Sequence, residues 1–347
     1  MDSKRVLLYG ESWRGTMAYS VKLALEENGY SVDTVDPSVY QFHAGLIGKV
    51  DSIMDRVFFR KIAYAINAHM QELLRTRKYT IVVIIKGLHV WPETITLSRK
   101  LCGRAVNWNH DEFFNPLRGA GHIWSPYIEQ AFKEYEVIIT PRRHLAESYL
   151  AKGARRVEYL PFACDPEIHQ PRVPSAQDVV LYSSEIIFVG NWSPLRQNVF
   201  SKLIDSQPLT IWGASWWRSG WKFSTSPNCR LKGIIPQDRM SLLLACSKIA
   251  LNMYTRENSD RYTIRNFEIP AARVFQLAER TVEATGFFEE DSEAVYFSTA
   301  EELIDKCRFY LAHDEARRKI AEAGYRRFIS SGYTYRDRVR DLIGRLS

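Results

Sequence analysis

The chain has 347 residues, of which 46% are hydrophobic, 13% aromatic and 25% charged. That composition fits a packed globular protein of two domains and excludes a mainly disordered chain. The longest apolar run, Ile81–Ile85, is too short to span a bilayer. The five cysteines contain no C-x-x-C pair, which argues against a disulfide framework or a zinc cluster.

The opening MDSKRVLLYG has no signal-peptide apolar stretch, so the expected location is cytoplasmic. The net charge is +7. Between Arg317 and Arg345 nine Arg/Lys stand against three acids, which accounts for +6 of it. Such a segment is either the solvated face of C-terminal helices or a contact for nucleic acid or anionic lipid.

In chain order, Arg5–Tyr9 reads as a strand that stops at Gly10. Thr16 to Glu27 has helical apolar spacing and ends at Asn28-Gly29, a C-cap signal. Ser31–Val35 reads as a strand, Val57–Leu74 as a helix, and the β-branched run Thr80–Lys86 as a strand buried on both faces. Ala105–Trp108, Val137–Thr140 and Val157–Leu160 continue the series, with helices between them. Four prolines from Pro161 to Pro174 then interrupt the pattern.

A second series follows. Its expected strands are Glu185–Val189, Leu209–Trp212, Ile249–Met253 and Thr281–Ala284. Its expected helices are Pro194–Leu203, Arg239–Cys246 and Thr263–Gln276, with helix from Thr299 onward. The β-α-β rhythm predicts an α/β fold with two Rossmann-like domains. The expected boundaries are 1–165, a proline-rich hinge at 166–183, a second domain at 184–330, and a C-terminal helix at 331–347 packing back toward the first domain. Ligands of such sheets bind at the carboxyl ends of strands.

Several strand ends could carry chemistry. The turn Gly10-Glu11-Ser12-Trp13-Arg14-Gly15-Thr16 lacks the dinucleotide G-x-G-x-x-G spacing, yet its glycines and helix start suit an anion or a close-lying substrate. Glu11 and Arg14 are its candidate acceptor contacts. Asn107-Trp108-Asn109-His110-Asp111-Glu112 offers His110 and Asp111 as general base or sugar partners. His89, after the third strand, is a weaker candidate.

In Val189-Gly190-Asn191-Trp192-Ser193-Pro194-Leu195-Arg196, Gly190 frees backbone N–H groups and Arg196 adds a fixed charge, which together suit a diphosphate. Between Asn252 and Ala271, Asp260 and Glu268 form an acid-x7-acid pattern able to accept sugar hydroxyls. Arg261 and Arg265 stand at a helix start, where a cation opposes the macrodipole and so needs another reason, such as phosphate. The alternative is a surface ion-pair network.

Four of the nine tryptophans lie between Trp212 and Trp221. Trp216 and Trp217 either stack on an acceptor or fill a seam. No D-x-D triplet, P-loop, G-x-S-x-G or H-E-x-x-H occurs, so no metal ligand is expected.

The segments RNFEIPA, AVYFSTAEELIDKCRFYL, HDEARRKIAEAGYRRF and YTYRDR, with YLPFACDPEIHQP and VGNWSPLRQ upstream, resemble the CgeB-like, spore-maturation glycosyltransferases of the two-domain GT-B fold. The likeness covers the C-terminal part of the chain closely and the N-terminal part only by rhythm. It implies two parallel sheets facing across a cleft. It also implies that Glu268 contacts the ribose hydroxyls of a nucleotide-sugar donor, and that Asp260, one methylene shorter than the usual glutamate, stands on the donor sugar.

The loop KGIIPQDRM resembles the segment that flanks the base, with Gly233 and Ile235 as backbone contacts. Arg273 stands where many relatives have glycine, a departure expected to reshape the phosphate pocket.

The expectation is a metal-independent glycosyltransferase that needs no cofactor and uses a nucleoside-diphosphate sugar, foremost a UDP-sugar. The acceptor is open among glycan, small molecule, protein and DNA. Rival readings are a DNA-modifying glycosyltransferase, a non-catalytic nucleotide-sugar binder, and a sugar-nucleotide epimerase.

Overall fold

The computed structural model describes residues 4–40, 58–114, 125, 127–256 and 259–346. The chain forms two compact units, one of Met1–Pro161 with Tyr335–Ser347 and one of Phe162–Thr334. The whole span 166–183 read as a hinge thus lies within the second unit. Within it Ala176–Tyr182 is a short helix with a reciprocal cap between Ser175 and Asp178.

The first unit holds β1 (Arg5–Tyr9), β2 (Ser31–Val35), β3 (Ile81–Ile85), β4 (Ala105–Trp108), β5 (Val137–Thr140) and β6 (Val157–Tyr159). They form one parallel sheet in the order β2-β1-β3-β4-β5-β6. Every residue of β3 is buried, as its β-branched run requires.

The helix Met17–Glu27 starts where Thr16 Oγ1 accepts from the Tyr19 amide at 3.3 Å. Gly10 (φ 158°) lets this turn close on the sheet, since a Cβ there would lie 2.7 Å from the Ala18 Cβ. The helix Phe59–Thr76 begins within two residues of its expected start. The C-terminal helix Tyr335–Leu346 buries Val339 and Leu342 in this unit. It is tied by Arg336 to Glu27 and by Arg345 to Glu158, both at 2.8 Å.

The second unit holds β7 (Ser184–Val189), β8 (Leu209–Trp212), β9 (Cys229–Lys232), β10 (Ser247–Asn252), β11 (Gln276–Glu279) and β12 (Val295–Phe297). Its sheet is also parallel, in the order β12-β11-β10-β7-β8-β9. The strand β12 falls in the segment AVYFSTAEELIDKCRFYL, which resembles a strand-turn, whereas the short β9 goes beyond the expected series.

The helix expected over Thr263–Gln276 is shorter, Arg265–Ala271. Arg273 adopts a left-handed φ of 60° and ends it, so β11 begins at Gln276. The strand expected at Thr281–Ala284 is instead a helix turn, because Thr281 caps Val282–Thr285 through its side chain.

The basic C-terminal segment is largely paired within its own units. Arg317, Arg318, Arg326, Arg327, Arg336, Arg340 and Arg345 each lie beside a carboxylate. Among the described residues no helix is long and apolar enough to cross a membrane.

Gly213 joins β8 to the loop that follows it, with φ 156°, and a Cβ there would sit 2.0 Å from the Gly190 carbonyl oxygen. The neighbour is backbone and cannot swing aside. Gly213→Ala is expected to lower unfolding free energy by about 2 kcal/mol or more. Urea denaturation checks this, and an unchanged midpoint would contradict it.

Candidate functional site

At the carboxyl edge of the second sheet, charged side chains are gathered and buried. Arg196 sits in the first turn of the helix Pro194–Leu203, which Ser193 caps. Its Nε donates to the Met253 carbonyl at 3.1 Å and its Nη1 to the Asn191 carbonyl at 2.8 Å, and its guanidinium stacks on Phe188. It therefore clamps the loops after β7 and β10 as well as placing a charge there.

Arg265 donates from Nε to the Val189 carbonyl at 3.4 Å and pairs with Glu268. Burial, then the nearby Arg196 charge, pushes the Arg265 pKa down to about 10. Two guanidiniums that disfavour each other at one strand edge make a place where an added anion is stabilised.

Glu268 is 1% exposed. A carboxylate so buried needs partners. It has Arg265 on one oxygen and His169 Nε2 at 3.1 Å from the other. His169 Nδ1 faces the Asp165 carbonyl at 3.1 Å. Burial, then the Arg265 charge, pushes the imidazole pKa down to about 4. A neutral ring has one proton for two acceptors, so it does not saturate Glu268.

Beside this pair, Asn266 accepts from the Thr263 amide at 2.9 Å and from Asn252 at 3.0 Å, and donates to the Tyr254 hydroxyl at 3.0 Å. Glu279 accepts from the Tyr254 amide at 3.0 Å. These bonds hold the loop after β10 in one shape.

The other expected donor residues are dispersed. Gly190 and Gly233 lie at the ends of β7 and β9, and a Cβ at Gly233 would meet only open space. The Ile235 side chain is buried in the core with Met240 and Leu243, so only its backbone is available. Asp260 is buried and accepts from Thr255 Oγ1 at 2.8 Å. The Arg261 guanidinium turns to Glu283, 2.9 Å away at the surface, rather than toward Arg265. Glu257 and Asn258 of this loop lie outside the described residues.

Trp216 is likewise corrected. It is 2% exposed, packs among Phe188, Phe200 and Phe223, and donates from Nε1 to the Gly190 carbonyl at 2.8 Å. It is a core residue that braces the β7 loop, while Trp217 is 75% exposed. Arg273 lies at the far end of its helix from Arg265, paired with Glu322. It therefore does not line a phosphate pocket with Arg265.

The first unit has its own cleft of about 220 Å³ at the carboxyl ends of β1 and β3. Tyr9, Gly10, Glu11, Lys86, His89 and His110 line it. Glu11 therefore has the expected placement, whereas Arg14 is exposed on the same turn and is not among the lining residues. The Tyr9 hydroxyl and His89 Nδ1 are 3.2 Å apart, and the His89 carbonyl accepts from Asn67 at 2.8 Å.

His110 has a buried Nδ1 with no hydrogen-bond partner among the described residues. Burial, then Lys86, pushes its pKa down to about 4, and Asp111 opposes the shift. Asp111 is 3.0 Å from Lys86 Nζ. Lys86 itself has a left-handed φ of 61°, which aims the β3 turn at this cleft. Among the described residues no three His, Cys, Asp or Glu side chains gather to hold a metal ion.

Residues 196–344 match the protein family described as glycosyl transferase-like. No curated protein matches the sequence. Solved structures similar to this one include a glycosyltransferase from Rickettsia africae ESF-5, with 12% identity, TM-score 0.65, and 99% of this chain and 98% of that one covered. Another is sucrose-phosphate synthase from Thermosynechococcus elongatus, with 11% identity, TM-score 0.65 and coverage of 99% and 98%. A third is Anabaena HepE in complex with UDP and glucose, with 10% identity, TM-score 0.63 and coverage of 99% of each chain. The two parallel sheets with their flanking helices are the α/β architecture of the GT-B fold.

The depressed His110 pKa makes a prediction about stability. An unfolded histidine titrates near 6.5, so the unfolded chain binds more protons between there and about pH 4. The His110 contribution is present above pH 6.5 and is lost as the pH falls through that window, with a slope of at most about 1.4 kcal/mol per pH unit. His110→Gln should flatten the fall in stability in denaturant titrations across this range. Equal slopes in both proteins would contradict the assignment.

Proposed function

We propose that this chain, which carries a glycosyl transferase-like region on a GT-B fold, transfers a sugar from a nucleoside-diphosphate sugar to an acceptor hydroxyl without a metal ion. The observation that carries the reading is the trio of buried Arg196, buried Glu268 and partly buried Arg265 at the carboxyl edge of the second sheet. The donor is a UDP-sugar by analogy with the Anabaena neighbour, whose complex holds UDP and glucose. The protein acts in the cytoplasm.

In this mechanism Glu268 accepts hydrogen bonds from the ribose hydroxyls, because a carboxylate takes two donors at once. The N-terminus of the helix Pro194–Leu203 turns the positive end of its dipole toward the diphosphate. Breaking the glycosidic bond leaves negative charge on that diphosphate. Arg265 and Arg196 are already fixed there, so they stabilise the charge with little reorganisation. The acceptor hydroxyl lies in the cleft of the first unit, where His110 Nδ1 accepts its hydrogen bond. Asp111, held by Lys86, keeps the cleft from carrying a net positive charge.

Thermal shift against nucleoside diphosphates and their sugars, with chelator present, tests the reading. A ligand at a hundred times its Kd stabilises by about 2.7 kcal/mol, which melting resolves. Glu268→Ala would leave the Arg265 guanidinium without its carboxylate and open a cavity, so Glu268→Gln is the cleaner variant. It should weaken binding of UDP by roughly ten- to a hundredfold, the worth of one hydrogen bond to a charged group. No shift with any nucleotide in a folded sample would overturn the proposal. Binding without transfer or hydrolysis would leave a nucleotide-sugar binder.

A further inference from the structure

The second unit has another concavity, at the opposite edge of its sheet. It is a cleft of about 460 Å³ between the start of β10, the turn into β11, the segment 171–173 and the helix Asp314–Ser330. That volume suits a small ligand. The strand β10 runs from this cleft to the Arg196 clamp, and its six residues span about 17 Å. The two places are therefore separate sites.

Five cations line the cleft: Arg172, Lys248, Arg273, Arg317 and Arg318. Among the described residues no carboxylate does. The acids that touch these side chains stand outside the lining and are shared. Lys248 is 3.0 Å from Glu185, Arg273 pairs with Glu322, and Arg317 and Arg318 both pair with Asp314. Glu322 also serves Arg326. Five cations against three carboxylates leave a surplus of positive charge in one concavity. Arg317 is buried there, held by the Tyr310 carbonyl at 2.8 Å, so part of the charge is fixed. Arg172 is bound only loosely, at 3.2 Å to the Glu167 carbonyl.

A second observation points the same way. Arg273 has a left-handed φ of 60° just past the end of the helix Arg265–Ala271, a position that favours glycine. A side chain there strains the backbone, and the strain places a guanidinium on the cleft wall.

We propose that this cleft is a binding site for a compound carrying two or more phosphoryl groups, separate from the donor edge. Arginine forks match phosphoryl oxygens in pairs, and the lysine adds a point charge. The phosphoryl groups could belong to a free metabolite or to a lipid headgroup, and both are recognised by the same chemistry.

The test is calorimetric titration of inorganic pyrophosphate at low ionic strength into the wild-type chain, Arg273→Gly, and the Lys248→Ala/Arg318→Ala double variant. Glycine removes the strain as well as the charge, so Arg273→Gly should melt no lower than wild type and bind pyrophosphate at least tenfold more weakly. The double variant changes two exposed side chains and should also lose at least tenfold. It carries the test alone if Arg273→Gly melts lower. A donor-edge site would be untouched by either change, so affinity unaltered in both variants overturns the proposal. Phosphatidylcholine vesicles with and without phosphatidylinositol bisphosphate separate the sources. Sedimentation with the bisphosphate vesicles that is lost in the variants assigns a headgroup, whereas pyrophosphate binding without sedimentation assigns a free metabolite.

Discussion

Glu268 is almost without solvent, and the second unit is arranged around that fact. A charge in such a place is stable only with a cation close by, and Arg265 comes from one turn earlier on the same helix. Arg265 is itself only partly exposed, and the Val189 carbonyl at the end of β7 accepts from it. Arg196 then ties the β7 and β10 loops together by donating to a carbonyl in each. Each buried charge thus fixes the next piece of backbone. The outcome is a strand edge whose polar groups are set before any ligand arrives.

Preorganisation of this kind matters for phosphate chemistry. Charge that develops on a leaving diphosphate is best met by groups that need not move or shed water. Buried arginines held by carbonyls meet that condition better than long side chains waving from a surface. The first unit has a different character. In its cleft burial keeps His110 neutral near pH 7, and Lys86 is paired with Asp111. The two sheets have the same architecture, yet their loops present a fixed positive edge in one case and a nearly neutral pocket in the other.

Much of the fold was legible because β-branched runs and glycine stops mark parallel strands plainly, as at Ile81–Ile85 and Ser184–Val189. The alternating Cys229–Lys232 has no such run and carries no strand signal of its own. Thr281 reads as strand from its β-branched neighbours, yet a threonine before a helical turn is a cap signal.

At the site, Glu268 was legible from the apolar residues around it. His169 was not, because it reaches Glu268 from a segment about a hundred positions earlier, and spacing carries no trace of that contact. Asp165, four residues before it, was the available hint. Trp216 and Trp217 are adjacent in sequence and opposite in burial, which composition cannot separate.

The first unit is discontinuous: β1 to β6 precede the second unit and the helix Tyr335–Leu346 follows it. During synthesis the first sheet emerges without the helix that buries Val339 and Leu342 against it. The apolar surface between the helix Met17–Glu27 and the sheet stays open to water while more than 170 residues of the second unit are made. The unit translated first is therefore the one completed last. The nascent chain carries an exposed apolar seam for that interval, long enough for a chaperone or a neighbouring nascent chain to occupy it.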